Sequence, residues 1–235
     1  MKKDAKLKIA LIPAYQPDDK LVTLTKDIKK SGFYPVVVDD GSGKKYRKYF
    51  DAAKKYADVV SYSENKGKGH ALKTGLKHIK NKFEKEYTVV TIDSDGQHTV
   101  PDMLKTTEEA LANPDSLVIG ARQFDGKVPF RSRFGNSMTR KIFKMKTGAV
   151  VYDTQTGLRA FSDKLTDLML TVEGSRYEYE MNMLLECACS GRKIIEVPIR
   201  TIYINDNEGS HFDPLRDSIK IYREIFKFKK HRRKK

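Results

Sequence analysis

A chain of 235 residues, 39% of them hydrophobic, can bury one large α/β core or a core with a small appendage. The formal net charge of +15 points to anionic partners, and Lys227, Lys229, Lys230, Arg232, Arg233, Lys234 and Lys235 concentrate that charge at one end. Two cysteines, Cys187 and Cys189, exclude a disulfide framework and a cysteine metal site. No signal peptide is read at the start, and no apolar run approaches the ~18 residues of a membrane span. The expected place is therefore the cytoplasm. No arginine–aromatic platform or nucleic-acid motif accompanies the basic end, so it reads as a solvated tail or a contact for anionic lipid rather than for nucleic acid.

Taken in order, Lys6 to Ile12 is a first strand, closed by Pro13-Ala14-Tyr15. Leu21, Leu24 and Ile28 mark a helix ended by Ser31-Gly32. Pro35 to Val38 is a continuously apolar second strand, as parallel strands buried on both faces are, and it runs into Asp39-Asp40-Gly41-Ser42-Gly43. A helix with Tyr46, Phe50 and Ala53 and a short strand at Val59-Val60 follow. Asn65-Lys66-Gly67-Lys68-Gly69 then leads a helix bearing Leu72, Leu76 and Ile79. Thr88 to Ile92 is a buried strand ending in Asp93-Ser94-Asp95-Gly96-Gln97. Next come a helix entered by Pro101 and a strand at Leu117 to Gly120. This alternation implies a doubly wound, mostly parallel sheet with helices on both faces.

Beyond Gly120 the texture changes. Arg122 to Arg133 has no period and reads as a loop able to close over a ligand. A helix carries Phe134, Met138, Ile142 and Met145, and Asp153 to Arg159 is a polar crossing before a helix near Leu165 to Leu170. Tyr177, Met181, Leu184, Leu185 and Ala188 form the stripe of another helix, and Lys193 to Ile204 reads as strands interrupted at Pro198. Residues 1–205 are expected to form one domain, with 1–121 a nucleotide-binding half and 122–205 an acceptor half. Residues 206–235 would be a basic amphipathic appendage. Asp213-Pro214 starts a helix there with two apolar stripes, Leu215, Ile219, Tyr222 and Phe226, then Ile221, Ile225 and Phe228. One stripe can pack on the domain and the other lie on a membrane surface.

Carboxyl ends of strands are where open α/β sheets bind ligands. Two aspartates at i, i+2 and an amide at Gln97 suit a hard divalent cation that keeps places for water and phosphate. Asp39 and Asp40 can accept from a base or ribose, and Tyr15 can flank a base. Lys66 to Gly69, just before a helix, favours phosphate through backbone N–H groups and the helix dipole. There is no GxxxxGK[ST] spacing, so this is not a P-loop.

The ordered set Ile12-Pro13-Ala14-Tyr15, Val38-Asp39-Asp40-Gly41-Ser42, Asn65-Lys66-Gly67-Lys68-Gly69 and Asp93-Ser94-Asp95-Gly96-Gln97 resembles the successive motifs of family 2 glycosyltransferases. Within them the chain is most similar, from about Leu7 to Ile204, to polyprenyl-phosphate (dolichyl-phosphate) hexosyltransferases. The resemblance implies a GT-A fold, a UDP- or GDP-hexose donor, Mg²⁺ or Mn²⁺, and an inverting transfer. It assigns Pro13, Ala14, Tyr15, Asp39, Asp40, Lys66, Gly69, Asp93 and Ser94 to the nucleotide sugar, and Asp93, Asp95 and Gln97 to the metal. Arg122, Arg131, Ser132 and Arg133 would grip the acceptor phosphate, and Asp153, Gly157 and Arg159 match a DxxxGxR motif. Gln16-Pro17 departs from the Asn-Glu usual after the tyrosine. Glu178 and Glu180 stand where related enzymes carry Gln or Glu, but about 160° apart on a helix, so both are not expected in one site.

Loss of the nucleoside diphosphate builds negative charge that a metal, lysines and arginines stabilise. A lipid-phosphate acceptor, with a second pKa near ~6, is already an anion and needs no base. Arg122, Arg131 and Arg133 would position it, beside Ser132, Arg159, Glu178 and Glu180. A hydroxyl of a cell-surface polysaccharide or teichoic acid would instead need a carboxylate to take its proton, and Asp153 is the first candidate. The expected partners are thus the nucleotide sugar, a polyprenyl phosphate, the cytoplasmic membrane face through the C-terminal helix, and a separate membrane protein, with no nucleic acid. The rival readings are a haloacid-dehalogenase-type phosphatase, whose DxDG lies near the chain start and is followed by Thr, and a basic binding module without catalysis.

Overall fold

The computed structural model describes residues 6–84, 86–122 and 130–200, and over 130–137 the course of the backbone alone. The expected C-terminal helix and basic tail lie outside these residues, as does the centre of the expected loop at 122–133.

Seven strands form one sheet: β1 (Leu7–Ala14), β2 (Tyr34–Asp39), β3 (Asp58–Ser61), β4 (Tyr87–Thr91), β5 (Leu117–Arg122), β6 (Arg159–Ser162) and β7 (Ile194–Ile199), in the order β3-β2-β1-β4-β6-β5-β7. Every paired neighbour is parallel except β6, which runs antiparallel to both β4 and β5.

The helices are α1 (Lys20–Lys30), α2 (Arg47–Ala53), α3 (Lys68–Lys82), α4 (Val100–Ala112), α5 (Phe130–Thr147), α6 (Thr166–Thr171) and α7 (Glu178–Cys189). Alternate residues of β1 show how they divide. Ile9 and Leu11 join Leu72, Leu76, Met169 and Tyr179 from α3, α6 and α7 in one core. Ala10 and Ile12 face the other way, onto Leu21, Ile28, Phe50 and Met103 from α1, α2 and α4. A strand buried on both faces is apolar at most positions, which is why β1, β2 and β4 read as largely apolar runs.

Beyond residue 122 the structure departs from the sequence reading in three places. The expected polar crossing ends in a true strand, β6. The helix expected from Phe134 begins at Phe130, shortening the expected loop. Pro198 does not interrupt β7: it pairs with Ala121, and its carbonyl turns away from β5 to accept from Lys105 Nζ at 3.1 Å. In a strand the N and C=O of one residue point the same way, so the missing N–H faces outward on an edge strand, where no ladder bond is lost.

Candidate active site

The ends of β1, β2, β4 and β5 meet at one edge of the sheet, and β6 begins there. Because β6 is reversed, Thr91 pairs with Arg159, and residues 153–158 arrive beside the segment leaving β4. That reversal brings two motifs distant in sequence together.

Asp93 is the fixed point. Its Oδ1 lies 2.6 Å from Lys68 Nζ and its Oδ2 3.7 Å from His98 Nε2. A Cβ on Gly157 would fall 2.2 Å from that same Oδ2, so a side chain there would displace the carboxylate. Burial opposes the charge of Asp93, but Lys68 and His98 hold its carboxyl far below the usual range. Asp95, by contrast, is pushed up by burial and then by the charge of Asp93. Its Oδ1 accepts from Gln97 N–H at 3.0 Å, while Oδ2 has no partner among the described residues. The pair is short of positive charge and has an oxygen open.

Among the described residues no three His, Cys, Asp or Glu converge as a metal cage. Mg²⁺ and Mn²⁺ need none when diphosphate and water complete the shell, so a fixed carboxylate and an open one fit such an ion. Ser94 lies between the two acids, half-buried.

On the donor side the expected residues divide. Pro13 and Ala14 are buried and form the wall at the end of β1. Tyr15 is half-buried beside them, and its hydroxyl accepts from Gln16 Nε2 at 3.1 Å. Asp39 accepts from Ser42 N–H through Oδ1 at 2.9 Å and keeps Oδ2 open. Asp40, expected to meet the nucleotide, is instead 3% exposed and fully engaged. It accepts from Tyr62 Oη at 2.7 Å, Asn65 Nδ2 at 3.0 Å, Lys66 N–H at 2.8 Å and Gly67 N–H at 2.9 Å. The chain's own carboxylate therefore occupies two of the backbone donors, the N–H groups of Lys66 and Gly67, that the Lys66–Gly69 segment was expected to offer to phosphate. Gly69 serves packing: its Cβ would fall 2.4 Å from Tyr179 Cβ, so it lets α3 close on α7.

On the acceptor side Arg122 grips Asp153, with Nε to Oδ2 at 2.7 Å and Nη2 to Oδ1 at 3.0 Å. Backbone N–H groups of Arg122 and Gln155 complete the shell of Asp153, which is fully buried. Asp153 thus departs from its expected role as a base, since every lone pair it has is directed at a donor. Glu196 Oε1 accepts from the N–H groups of Tyr152 and Asp153 and fixes this turn from β7. Arg159, expected at the acceptor, is 1% exposed and pins β6 to α7 by donating to the carbonyls of Thr156 and Glu180. Glu180 points into the site and lies 3.0 Å from Lys68 Nζ. Glu178 does not reach it: its Oε1 accepts from the N–H groups of Ser175 and Arg176, both at 3.0 Å. Arg131, Ser132 and Arg133 lie on the first turn of α5, where only the backbone is described.

Sequence reasoning left His98 and Glu196 without roles and read Lys68 only as part of the Lys66–Gly69 stretch. Glu196 carried one signal, a lone acid inside Ile194-Ile195-Glu196-Val197. His98 directly follows Gln97, and Lys68 opens α3 straight after a glycine with φ of 97°.

The family model described as glycosyl transferase family 2 matches residues 10–168. UDP-N-acetylglucosamine–dolichyl-phosphate N-acetylglucosaminyltransferase of Methanococcus voltae is 30% identical over 220 residues, covering 84% of this chain and 86% of that protein. Glycosyltransferase AglJ of Haloferax volcanii is 29% identical, over 92% of this chain and 70% of its own length. Among solved structures, glucosyl-3-phosphoglycerate synthase from Mycobacterium tuberculosis, in complex with Mn²⁺, UDP and phosphoglyceric acid, superposes with a TM-score of 0.68 at 18% identity. The match covers 95% of this chain and 77% of that one. The architecture is thus the GT-A type, and the protein belongs to glycosyl transferase family 2 and is a glycosyltransferase.

Proposed function

We propose that the protein transfers a hexose, with inversion, from a nucleotide sugar to a polyprenyl phosphate at the cytoplasmic face of a membrane. The observation that carries the acceptor class is the engagement of Asp153. Its carboxylate is consumed by Arg122 and two N–H groups, and Glu180 is paired with Lys68. A hydroxyl acceptor needs a base free to take its proton, whereas an anionic phosphate oxygen attacks without one. The Methanococcus voltae relative, named for dolichyl phosphate, supports the same class.

Asp93, Asp95 and Gln97 would hold Mg²⁺ or Mn²⁺, which when bound supplies positive charge for the departing diphosphate. Pro13, Ala14, Tyr15 and the open oxygen of Asp39 would receive base and ribose. Asp153 orients Arg122, and Glu196 orients Asp153, so the guanidinium is pre-positioned for the acceptor phosphate with little ordering left to do at binding. Arg131, Ser132 and Arg133 would add to that grip. Among the described residues no helix is long and apolar enough to cross a membrane. Contact with the lipid would then be peripheral, through the basic C-terminal segment and a separate membrane protein.

The test is release of nucleoside diphosphate from a panel of UDP- and GDP-hexoses with Mg²⁺ or Mn²⁺, offered a polyprenyl phosphate, the matching polyprenol or a glycan. Turnover only with the phosphate is expected. Equal turnover with the polyprenol or the glycan would overturn the acceptor assignment.

A further inference from the structure

Lys68 presents a buried cation already seated on the carboxylate that the donor chemistry needs. Its ammonium lies 2.6 Å from Asp93 Oδ1 and 3.0 Å from Glu180 Oε1, and the lysine and glutamate side chains are only 16% and 11% exposed. Asp93 cannot turn aside to escape it, because Gly157 backs its carboxylate on the other side. Gly69 against Tyr179 also closes the α3–α7 joint, beside the Lys68–Glu180 pair. At the head of α3 the N–H groups of Lys66 and Gly67 are spent on Asp40 and that of His70 on the carbonyl of Ser175. A phosphate arriving beside Asp93 therefore meets the Lys68 side chain.

We propose that Lys68 is a displaceable counter-ion, a role that rests on the donor reading above. In the empty site its ammonium neutralises Asp93 and Glu180, which would otherwise stand buried and uncompensated. When the site is loaded, Lys68 leaves Asp93, keeps its contact with Glu180 and its tether at the first position of α3, and turns to the oxygens of the nucleoside diphosphate. The four torsions of a lysine allow that swing without moving the helix, and its compact charge suits a phosphate oxygen. The same residue thus opposes cation entry in the absence of nucleotide and supports the loaded state once nucleotide is present. Donor and metal would then bind as a unit.

Calorimetric titration of the full chain with Mn²⁺ alone, and with UDP at saturating Mn²⁺, tests this on the parent and on Lys68→Met. The variant is expected to bind Mn²⁺ alone about tenfold more tightly and UDP about tenfold less tightly. Opposite signs are the diagnostic result. If both affinities rise, Lys68 only repels the metal. If both fall together with thermal stability, it is a structural pillar; if neither moves, it touches neither ligand. Each of these overturns the proposal. Lys68→Gln, which keeps a donor for Asp93 without the charge, is read the same way should the methionine variant fail to fold. A parent chain that binds neither Mn²⁺ nor UDP takes down the donor reading and this inference together. A parent that binds both, with same-sign changes in the variant, takes down the inference alone.

Discussion

Asp40 and Asp153 are both buried carboxylates at the functional edge, one in each half of the sheet, and they are satisfied in opposite ways. Asp40 is wrapped by neutral donors: two backbone N–H groups, an amide and the hydroxyl of Tyr62, whose own ionisation is pushed up by burial and by Asp40. Asp153 takes a guanidinium bidentately. The first arrangement consumes no cation and turns the loop after β2 and the head of α3 into a rigid frame. The second spends a carboxylate to aim a cation. On the proposed reading, a frame around the nucleotide and an aimed charge for the acceptor should fail differently when each is broken.

The seam between the halves is where the largest effect is expected. Gly157→Ala places a methyl 2.2 Å from Asp93 Oδ2, and Asp93 is held from its other side by Lys68. Displacing that carboxylate by about an ångström should cost ~10²-fold or more in turnover and weaken Mn²⁺-dependent UDP binding in parallel. Unchanged UDP affinity would show that the two halves do not meet at Asp93. Asp40→Asn comes next. One acceptor oxygen becomes an NH₂ facing donors, so the variant should lose about 3 kcal/mol in urea unfolding, with weaker UDP binding following from the loosened frame. Asp153→Asn should do the reverse. A loosened Arg122 should lower kcat/KM for the acceptor by ~30-fold, about 2 kcal/mol, and leave UDP affinity within twofold. A donor-side defect of equal size would erase the distinction between frame and aimed charge.

These contrasts also explain what could be read from the chain in advance. The parallel half was legible because strands buried on both faces are mostly apolar, and helices packed on one face carry stripes. Asp93-Ser94-Asp95 at the end of such a strand was legible for the same reason. The role of Asp40 was not, because its partners lie 22 to 27 residues further on and half of them are backbone N–H groups, whose direction no side chain displays. Nor was β6. Its four residues open on an arginine, which in sequence marks a surface, yet that side chain is 1% exposed and held by carbonyls of its own turn and of α7. Burial and the loss of solvation pull the Arg159 pKa below its ordinary value, the mark of a charge placed by its neighbours rather than by local preference. Strand identity at 159–162 comes from the edges of β4 and β5, and an edge is a property of the assembled sheet.

The smallest predicted effect lies away from the site, in the frame half, and its sign follows from one carboxylate. Asp58 on β3 is raised by partial burial, but hydrogen bonds from Lys82, His78 and Tyr34 outweigh that and hold its carboxyl at about 2. Its unfolded value is near ~3.9, so the folded state binds the proton less readily than the unfolded chain does. The stability it contributes is therefore fully present above pH ~4 and is lost as pH falls toward 2. Lys82 is 41% exposed and Asp58 26%, so solvent screening reduces the contribution to about 1 kcal/mol. Comparing urea unfolding at pH 6 and pH 3 should show the parent losing more than Asp58→Asn by about half that amount. An equal loss in both chains would show that this cluster, unlike Asp40, does not help hold the frame.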